Sequence, residues 1–366
     1  MIDQSKMNRA TRFLMIAAAV AIIIFGINQA QSVVAQLLVS VFLALIATPT
    51  VLWLEEKRTP SSVAVLIVMA GMIALLLMIG GVVGVSLNAL TEDLPVYQSR
   101  LQQEILALKP WLASKHIVVS DKILLGYLNP AQVLGLAVGM LAGMGTALSS
   151  TVLVLLTVTF ILLEASSFPV KLRAVLGNPD QDFPQFRKFV HDIQRYMIIK
   201  TLINLIGAVI IGLWLLFLGV DFPVLWGLLF FLFHFIPNIG SIICAIPAIL
   251  LAFIELGVGP AGLVAAGYLV VGFTLGSVVE PRVMGRRLGL STLVVFLSLI
   301  FWGSMLGPIG MILCVPITMT LKFGLEINKD TRWIAVLLGP EKLTGSVPAR
   351  PNLELESDAG KQIDAA

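Results

Sequence analysis

Charged residues are scarce in this chain of 366 residues. Only 12% of the residues are Asp, Glu, Lys or Arg, whereas 58% are hydrophobic. Soluble domains carry about 25% charged and about 45–50% apolar residues. The composition therefore excludes an ordinary soluble enzyme, a disordered chain and a nucleic-acid-binding domain. The formal net charge of +3 is also too small to indicate a polyanionic partner.

Cysteine and histidine are equally scarce. The chain has two cysteines, Cys244 and Cys314, both within apolar runs, and three histidines. These counts exclude a disulfide framework and indicate neither a metal site nor another cofactor. The sequence also lacks a nucleophile elbow, a Walker loop and a pair of intramembrane aspartates. We therefore expect no enzymatic activity, and in particular neither an ATP-driven pump nor an intramembrane protease.

Long charge-free runs occupy most of the sequence instead. They predict an all-α polytopic membrane protein with about six full transmembrane helices and two re-entrant helical hairpins, which makes eight hydrophobic units. The predicted full spans are 13–28, 32–52, 59–91, 135–163, 201–220 and 256–279. The first run, 13–54, is long enough for two spans, so we do not expect it to be the core of a cleavable signal peptide.

Polar segments divide the predicted chain into six parts. In order, we expect transmembrane helices one to three (1–91), an extracytoplasmic amphipathic segment (92–132), the fourth transmembrane helix (133–163), a cytoplasmic amphipathic linker (164–200), a transport core (201–322) and a cytoplasmic tail (323–366), disordered from about residue 340. Apolar residues recur at helical spacing in 92–132, which predicts an amphipathic helix on a surface.

A short motif occurs twice in the last third of the chain. Residues 239–244 read Ile-Gly-Ser-Ile-Ile-Cys and residues 309–314 read Ile-Gly-Met-Ile-Leu-Cys, and each copy has a proline on both sides and a Trp-Gly pair ahead of it. Both copies interrupt apolar segments that are too long for one span. Paired Gly/Pro-interrupted segments indicate a transporter's binding site. We therefore predict re-entrant hairpins at 222–254 and 290–321, forming an inverted repeat in the C-terminal half.

Basic residues set the expected orientation. Lys6, Arg9 and Arg12 place the N-terminus in the cytoplasm by the positive-inside rule, which implies a multi-pass protein of the bacterial inner membrane. Two hairpins also keep the three arginines of the loop 280–287 and the C-terminus in the cytoplasm. The alternative is that both broken segments are long, kinked helices that cross the membrane fully. Hydropathy does not separate the two topologies.

Irregular backbone at membrane depth is tolerated where it is buried in protein or lines a wet cavity. The candidate solute-binding residues are therefore the polar and turn-forming residues in and beside the two breaks: Asn204, His234, Pro237, Asn238, Gly240, Ser241, Ser304, Pro308 and Gly310. Pro247 and Pro316, which follow the two motifs, are the predicted hinges. The alternative is that the residues of the breaks only form tight turns.

Several of these polar residues have two interpretations. His234 either exchanges protons, because the ordinary pKa of histidine is about 6.5, or stays neutral and hydrogen-bonds a neighbouring helix. Asn204 either contacts the solute or joins two helices. Glu280 and Arg282 either form an ion-pair latch or anchor the chain at the membrane surface.

Longer motifs in the same region resemble the autoinducer-2 exporter family. They read Val-Asp-Phe-Pro (220–223), Leu-Trp-Gly-Leu (225–228), Phe-Ile-Pro-Asn-Ile-Gly-Ser (235–241), Ile-Pro-Ala (246–248), Glu-Pro-Arg-Val-Met-Gly (280–285), Leu-Gly-Leu-Ser (288–291), Phe-Trp-Gly (301–303), Gly-Pro-Ile-Gly (307–310) and Val-Pro (315–316). The resemblance implies a transporter that moves a quorum-sensing signal out of bacteria, although some members are described as sodium or lithium/proton antiporters. It also implies a homo-oligomer, a pentamer by analogy, with an elevator-like moving domain. Many relatives have Asn at the position of His234.

The sequence therefore predicts a secondary transporter that exports a small polar solute, foremost autoinducer-2. The expected partners are this solute, a coupled proton or sodium ion, the lipid bilayer and further copies of the chain, but no nucleic acid. A cation/proton antiporter is the first alternative, weakened by the lack of an acidic residue in the middle of a predicted span. A non-transporting membrane scaffold or regulator is the second.

Overall fold

All regular elements in the described part of the chain are helices. The structure is a computed structural model, and it describes residues 9–114, 139, 151–176, 184–284, 289–327 and 330–339. The helices are α1 (Arg9–Gln29), α2 (Gln31–Glu56), α3 (Ser61–Ser114), α4 (Thr151–Leu176), α5 (Pro184–Leu218), α6 (Pro223–Phe233), α7 (Gly240–Leu256), α8 (Val258–Phe273), a π-helix (Thr274–Val279), α9 (Glu280–Met284), α10 (Thr292–Ile327) and α11 (Arg332–Leu337).

Five helical stretches among the described residues are long and apolar enough to cross a membrane. They are Gln31–Glu56, Ser61–Asp93, Lys188–Leu218, Val258–Met284 and Thr292–Ile327. Large apolar side chains remain exposed along them, for example Phe217 at 84% and Leu77 at 70%. Such a surface is suited to lipid rather than to water. The predicted class, a helical multi-pass membrane protein, is therefore confirmed.

Two long helices join parts that the sequence analysis separated. α3 continues without a break for 54 residues, or about 80 Å, so residues 92–114 extend the third span instead of forming a separate helix. α5 likewise runs through the predicted boundary at residue 200. Lys200 is only 3% exposed, so its charge does not mark a return to water. The rest of the amphipathic segment (115–132), Arg286, Arg287 and the tail from residue 340 lie outside the described residues.

The first broken segment doubles back on itself. α6 ends at Phe233, a turn follows, and α7 returns from Gly240. The two ends of the segment meet, because the backbone amide of Asp221 donates a hydrogen bond to Oε2 of Glu255 at 3.1 Å. Both helices contribute side chains to one buried cluster, which includes Trp226, Phe230, Ala248 and Leu251. α6 and α7 therefore form an antiparallel helical hairpin, here called the first hairpin.

The second broken segment doubles back as well. Gly307 has φ +65° and ψ −149°, which interrupts α10 between two helical arms, 292–306 and 308–327. Nε1 of Trp302 donates to Oγ1 of Thr318 at 3.0 Å, although 16 residues of unbroken helix would separate these positions by about 24 Å. At the base, Nζ of Lys322 donates to the carbonyl oxygen of Gly289 at 2.6 Å. This segment is called the second hairpin.

The bases of the two hairpins lie at opposite ends of α5. Near the start of α5, the ring of Phe189 stacks on that of Phe323, which follows Lys322 at the base of the second hairpin, with centroids 4.1 Å apart. At the other end, α5 stops at Leu218 and the chain enters the first hairpin at Asp221. Phe189 and Leu218 are separated by about 44 Å of helix. The hairpins consequently extend toward each other from opposite ends of one span.

Candidate functional site

A cavity of about 780 Å³ lies beside the turn of the first hairpin. Its wall is built from that turn, from α5, from α8 and the π-helix, and from the residues that lead into the second hairpin. The polar side chains of the wall are those of Lys200, His234, Asn238, Ser241, Tyr268, Ser277, Glu280 and Thr292. Its volume is within the usual range for small-molecule sites.

A buried ion pair forms part of the cavity wall. Nζ of Lys200 on α5 donates to Oε2 of Glu280 at 2.7 Å, and the two side chains are 3% and 18% exposed. Buried charges are costly unless they are paired, so this contact holds the junction of the π-helix and α9 against α5. Glu280 thus pairs with Lys200 and not with Arg282, whose side chain is exposed. A latch role for Glu280 and Arg282 remains a prediction.

Two buried polar atoms in wall residues have no hydrogen-bond partner among the described residues. They are Nε2 of His234 and the hydroxyl of Tyr268, in residues that are 6% and 2% exposed. The His234 ring stacks on Phe230 with centroids 4.7 Å apart, which restrains its plane. Because unpartnered buried polar groups cost free energy, a solute that supplies hydrogen-bond partners would be stabilised here.

The turn of the first hairpin brings several predicted residues to the cavity. Pro237, Asn238 and Ser241 line the wall. Asn238 has φ +62°, in the left-handed region that asparagine adopts more readily than most other non-glycine residues. Gly240 allows the tight turn, because a Cβ there would overlap the carbonyl oxygen of Phe233. These residues therefore form the turn and, except for Gly240, also present groups to the cavity.

A π-helix completes the opposite wall. Gly272, Gly276 and Ser277 line the cavity from the end of α8 and from the π-helix. A Cβ at Gly272 would come within 2.8 Å of Oγ of Ser241, whereas one at Gly276 would lie 3.9 Å from Cε1 of His234. Gly272 thus permits the close approach of α8 to the turn. Short π-helical segments inside α-helices are often found at functional sites.

Residues of the second break lie outside the wall of this cavity. Oγ of Ser304 donates to the carbonyl oxygen of Phe301 within its own arm, at 2.8 Å. Gly310 makes a tight packing contact, since a Cβ there would overlap the carbonyl oxygen of Trp302. Ile236 of the first turn shares a buried cluster with Met305 and Leu306, so the breaks are linked by apolar packing. Solute contact by Ser304, Pro308 and Gly310 remains a prediction.

Three other predicted residues are also away from the cavity wall. Asn204 is fully buried on α5, and its Nδ2 donates to the carbonyl oxygen of Phe231 at 3.2 Å, which joins α5 to the first hairpin. Its Oδ1 has no hydrogen-bond partner among the described residues. Pro247 and Pro316 are buried inside α7 and inside the second arm of α10. Their hinge role stays a prediction.

Lys200 and Tyr268 were missed by the sequence analysis. Lys200 follows a charged stretch, and hydropathy assigned it to a soluble linker. Glu280 also falls within the candidate span Val258–Met284. Glu280 lies four residues before the end of that span, so the expectation that no acidic residue lies mid-span stays a prediction. Lys200 and Glu280 are 80 positions apart in the sequence, and no local sequence pattern indicates that they form a pair.

A polar cluster ties the base of the first hairpin to α3. The hydroxyl of Tyr97, beyond the candidate span of α3, lies 3.1 Å from Oδ2 of Asp221, and the amide of Asp221 bonds Glu255. Burial, assisted by the nearby Glu255 and Asp221 carboxylates, raises the pKa of Tyr97 well above its ordinary value. Tyr97 thus stays protonated and donates its hydrogen to Asp221.

No group of three or more metal-ligating side chains occurs in the part of the chain that the structure describes.

Broken apolar helices, buried charges and a polar cavity within a bundle of spans are features of membrane transporters. Comparisons with known proteins agree with this class. The family model described as "AI-2E family transporter" matches residues 13–327, so the chain belongs to the AI-2E transporter family. It is a multi-pass membrane transporter of a bacterial membrane.

Curated relatives match over almost their whole length. The chain is 38% identical to "AI-2 transport protein TqsA" of Escherichia coli over 327 residues, which are 89% of this chain and 95% of the relative. It is 34% identical over 331 residues to YhhT of Escherichia coli, with 90% and 95% coverage. The name of YhhT marks transport as an inferred role and states no solute. Both names state transport, and of the two only that of TqsA states a solute.

Proposed function

We propose that this chain is a secondary transporter that exports a small polar solute, autoinducer-2, through the cavity beside the first hairpin. The observation that carries the proposal is the cavity itself. It combines an ion pair without net charge, a histidine and an amide in a volume suited to a small molecule. The name of the TqsA relative supports this choice of solute.

The arrangement of the hairpins supports a transport path. If α5 spans the bilayer, hairpins whose bases lie at its two ends enter the membrane from opposite sides, as in transporters with inverted repeats. With the N-terminus in the cytoplasm, the base of the second hairpin is cytoplasmic. The cavity adjoins that base through Gly289, Leu290 and Thr292. It therefore lies on the side from which an exporter loads its solute.

A cation/proton antiporter is the second candidate function, and Glu280 is the observation that favours it. An acidic side chain in a span often marks an ion or proton pathway. Lys200 occupies the same carboxylate at 2.7 Å, however, and a sodium ion would have to displace this ammonium group. The autoinducer-2 exporter remains the preferred function, because the pair leaves no net charge in the wall to hold a cation.

Efflux from vesicles tests the proposed function. Everted membrane vesicles that contain the protein should accumulate autoinducer-2. They should not take up sodium in its place. Ser241→Ala should slow uptake roughly 5- to 10-fold, the value of one hydrogen bond of about 1 kcal/mol. Ser304→Ala removes the same hydroxyl outside the cavity and should leave uptake within about twofold of the wild type. Equal loss in both variants, or sodium-dependent proton release without solute uptake, would contradict the proposal.

A further inference from the structure

We infer that the carboxylate of Glu280, in its pair with Lys200, binds either hydroxyl groups of the solute or a proton. Each solute molecule that leaves the cell is therefore exchanged for a proton that enters. This inference rests on the proposed function and deepens it. The pair lies in the cavity wall and is held from two different elements, α5 and α9, which makes it a built part of the site.

The chemistry of the pair selects for a neutral, polyhydroxylated solute. Lys200 offers only N–H donors, and Glu280 in its charged form offers only acceptors. A solute with neighbouring hydroxyl groups can accept from Nζ and donate to the carboxylate at the same time. Because the pair carries no net charge, an anionic or a cationic solute would gain no net attraction from it to offset the loss of its hydration. Hydroxyl groups are therefore the chemical class that satisfies both members of the pair.

Proton binding to Glu280 weakens the part of the site that accepts hydrogen bonds from the solute. A protonated Glu280 loses its charge and one acceptor position, and its own O–H then competes as a donor with the solute hydroxyls. A solute hydroxyl and a proton thus compete for the same carboxylate. The site therefore holds either the solute or a proton, but not both. After it releases the solute outside the cell, it binds a proton there and carries that proton back to the cytoplasmic side. The O–H bond that forms at Glu280 outside the cell breaks on the cytoplasmic side, where the proton is released.

The groups that surround Glu280 include no second carboxylate among the described residues. From α5, Lys200 carries the compensating charge and Tyr196 is buried nearby. From the first hairpin, His234 faces the cavity, and from the second hairpin Cys314 is buried close to Lys200. Tyr268 of α8 is uncharged, and Arg282 of α9 is exposed. Among these groups of the described chain, Glu280 is the only carboxylate in the cavity wall.

Proteoliposomes with the full-length protein test the inference with two readouts. One is exchange of autoinducer-2 for autoinducer-2 without a pH gradient, and the other is accumulation driven by a pH gradient with the membrane potential held at zero. The wild type should accumulate solute about tenfold for each pH unit, because a single proton is exchanged for each solute molecule. Glu280→Gln should slow solute exchange, because it removes the charged acceptor of the solute hydroxyls, and the exchange that remains should not depend on pH and should give no accumulation with the pH gradient. Glu326→Gln, which alters the more exposed Lys322–Glu326 pair, should behave as the wild type.

The outcomes separate the two proposals. If the wild type exchanges no autoinducer-2, the proposed function fails and this inference fails with it. If the wild type exchanges solute but Glu280→Gln still accumulates it with the pH gradient, only the inference fails. A further measurement uses only the wild type, so it tests the inference even if Glu280→Gln does not fold. At acidic pH, autoinducer-2 added to the unbuffered purified protein should release protons, and a constant pH would overturn the inference.

Discussion

Gly240 lies so close to the carbonyl oxygen of Phe233 that no Cβ can fit between them. The same relationship joins Gly310 to the carbonyl oxygen of Trp302 in the second hairpin. Both glycines occupy the second position of the repeated hexapeptide motif. The repeat therefore encodes the same backbone approach in both halves, where a returning helix begins against the end of the arm before it.

Alanine at either of these glycines should destabilise the protein. The added carbon must displace backbone, so we expect Gly240→Ala and Gly310→Ala each to lower the free energy of unfolding by about 1–3 kcal/mol, as overpacking does. Gly276→Ala is the control, because the nearest atom to its Cβ would lie at 3.9 Å. Thermal unfolding of the purified proteins in detergent measures the difference. Equal melting temperatures for all three variants would contradict the tight turns.

The Lys200–Glu280 pair should show strong energetic coupling. Lys200→Met leaves a buried carboxylate without its partner and should cost about 3 kcal/mol, whereas adding Glu280→Gln to it should recover most of that loss. Chemical unfolding of the wild type, the two single variants and the double variant gives the coupling energy. The control is Glu326→Gln at the more exposed pair, expected within about 0.5 kcal/mol of the wild type. Additive effects of the two substitutions would show that the pair is not formed.

Two substitutions at Asn238 separate its role in the turn from contact with the solute. Glycine adopts the observed φ of +62° without strain, so Asn238→Gly should keep the melting temperature of the wild type. Asn238→Ala should lower the free energy of unfolding by about 1 kcal/mol, the strain of a left-handed residue. Both variants should lose uptake of autoinducer-2, because both lack the amide. Normal uptake by a stable Asn238→Gly would assign this residue to the turn alone.

Two tyrosines that differ in their hydrogen bonds make a matched pair. The hydroxyl of Tyr97 bonds Asp221, whereas that of Tyr268 has no partner among the described residues. Tyr97→Phe should therefore lower the free energy of unfolding by about 1 kcal/mol, and Tyr268→Phe should leave it unchanged or raise it. Unfolding curves in the absence of solute measure both. A larger loss for Tyr268→Phe would indicate a bonding partner that the described residues do not provide.

Much of the architecture was predictable because it depends on local signals. Charge-free runs are long enough to identify helices that cross a membrane, and the repeated motif begins directly after both breaks, with Gly240 and Gly310 in the returning arms. The positive φ of Asn238 also agrees with its place in a predicted turn. These features follow from hydrophobicity and backbone sterics within short stretches, which a single sequence displays.

The composition of the site was less predictable, because it depends on contacts between distant residues. Lys200 reads as the end of a charged segment, and only the packing of α5 against the π-helix shows that it is buried. Glu280 has Arg282 as a near neighbour in sequence, yet its observed partner is 80 positions away. Helical spacing also gave no sign that residues 92–114 would continue α3. Tertiary packing decides the first two cases.

The most direct test of the account is the side of the membrane on which each hairpin base lies. Gly259, just after the first hairpin, and Gly324, near the base of the second, are both exposed and have open space for a side chain. With Cys244 and Cys314 replaced by alanine, Gly259→Cys and Gly324→Cys each carry one thiol. In intact cells, a membrane-impermeant maleimide should label Gly259→Cys and should label Gly324→Cys only after permeabilisation. Labelling of both variants from the same side would contradict hairpins that enter from opposite faces.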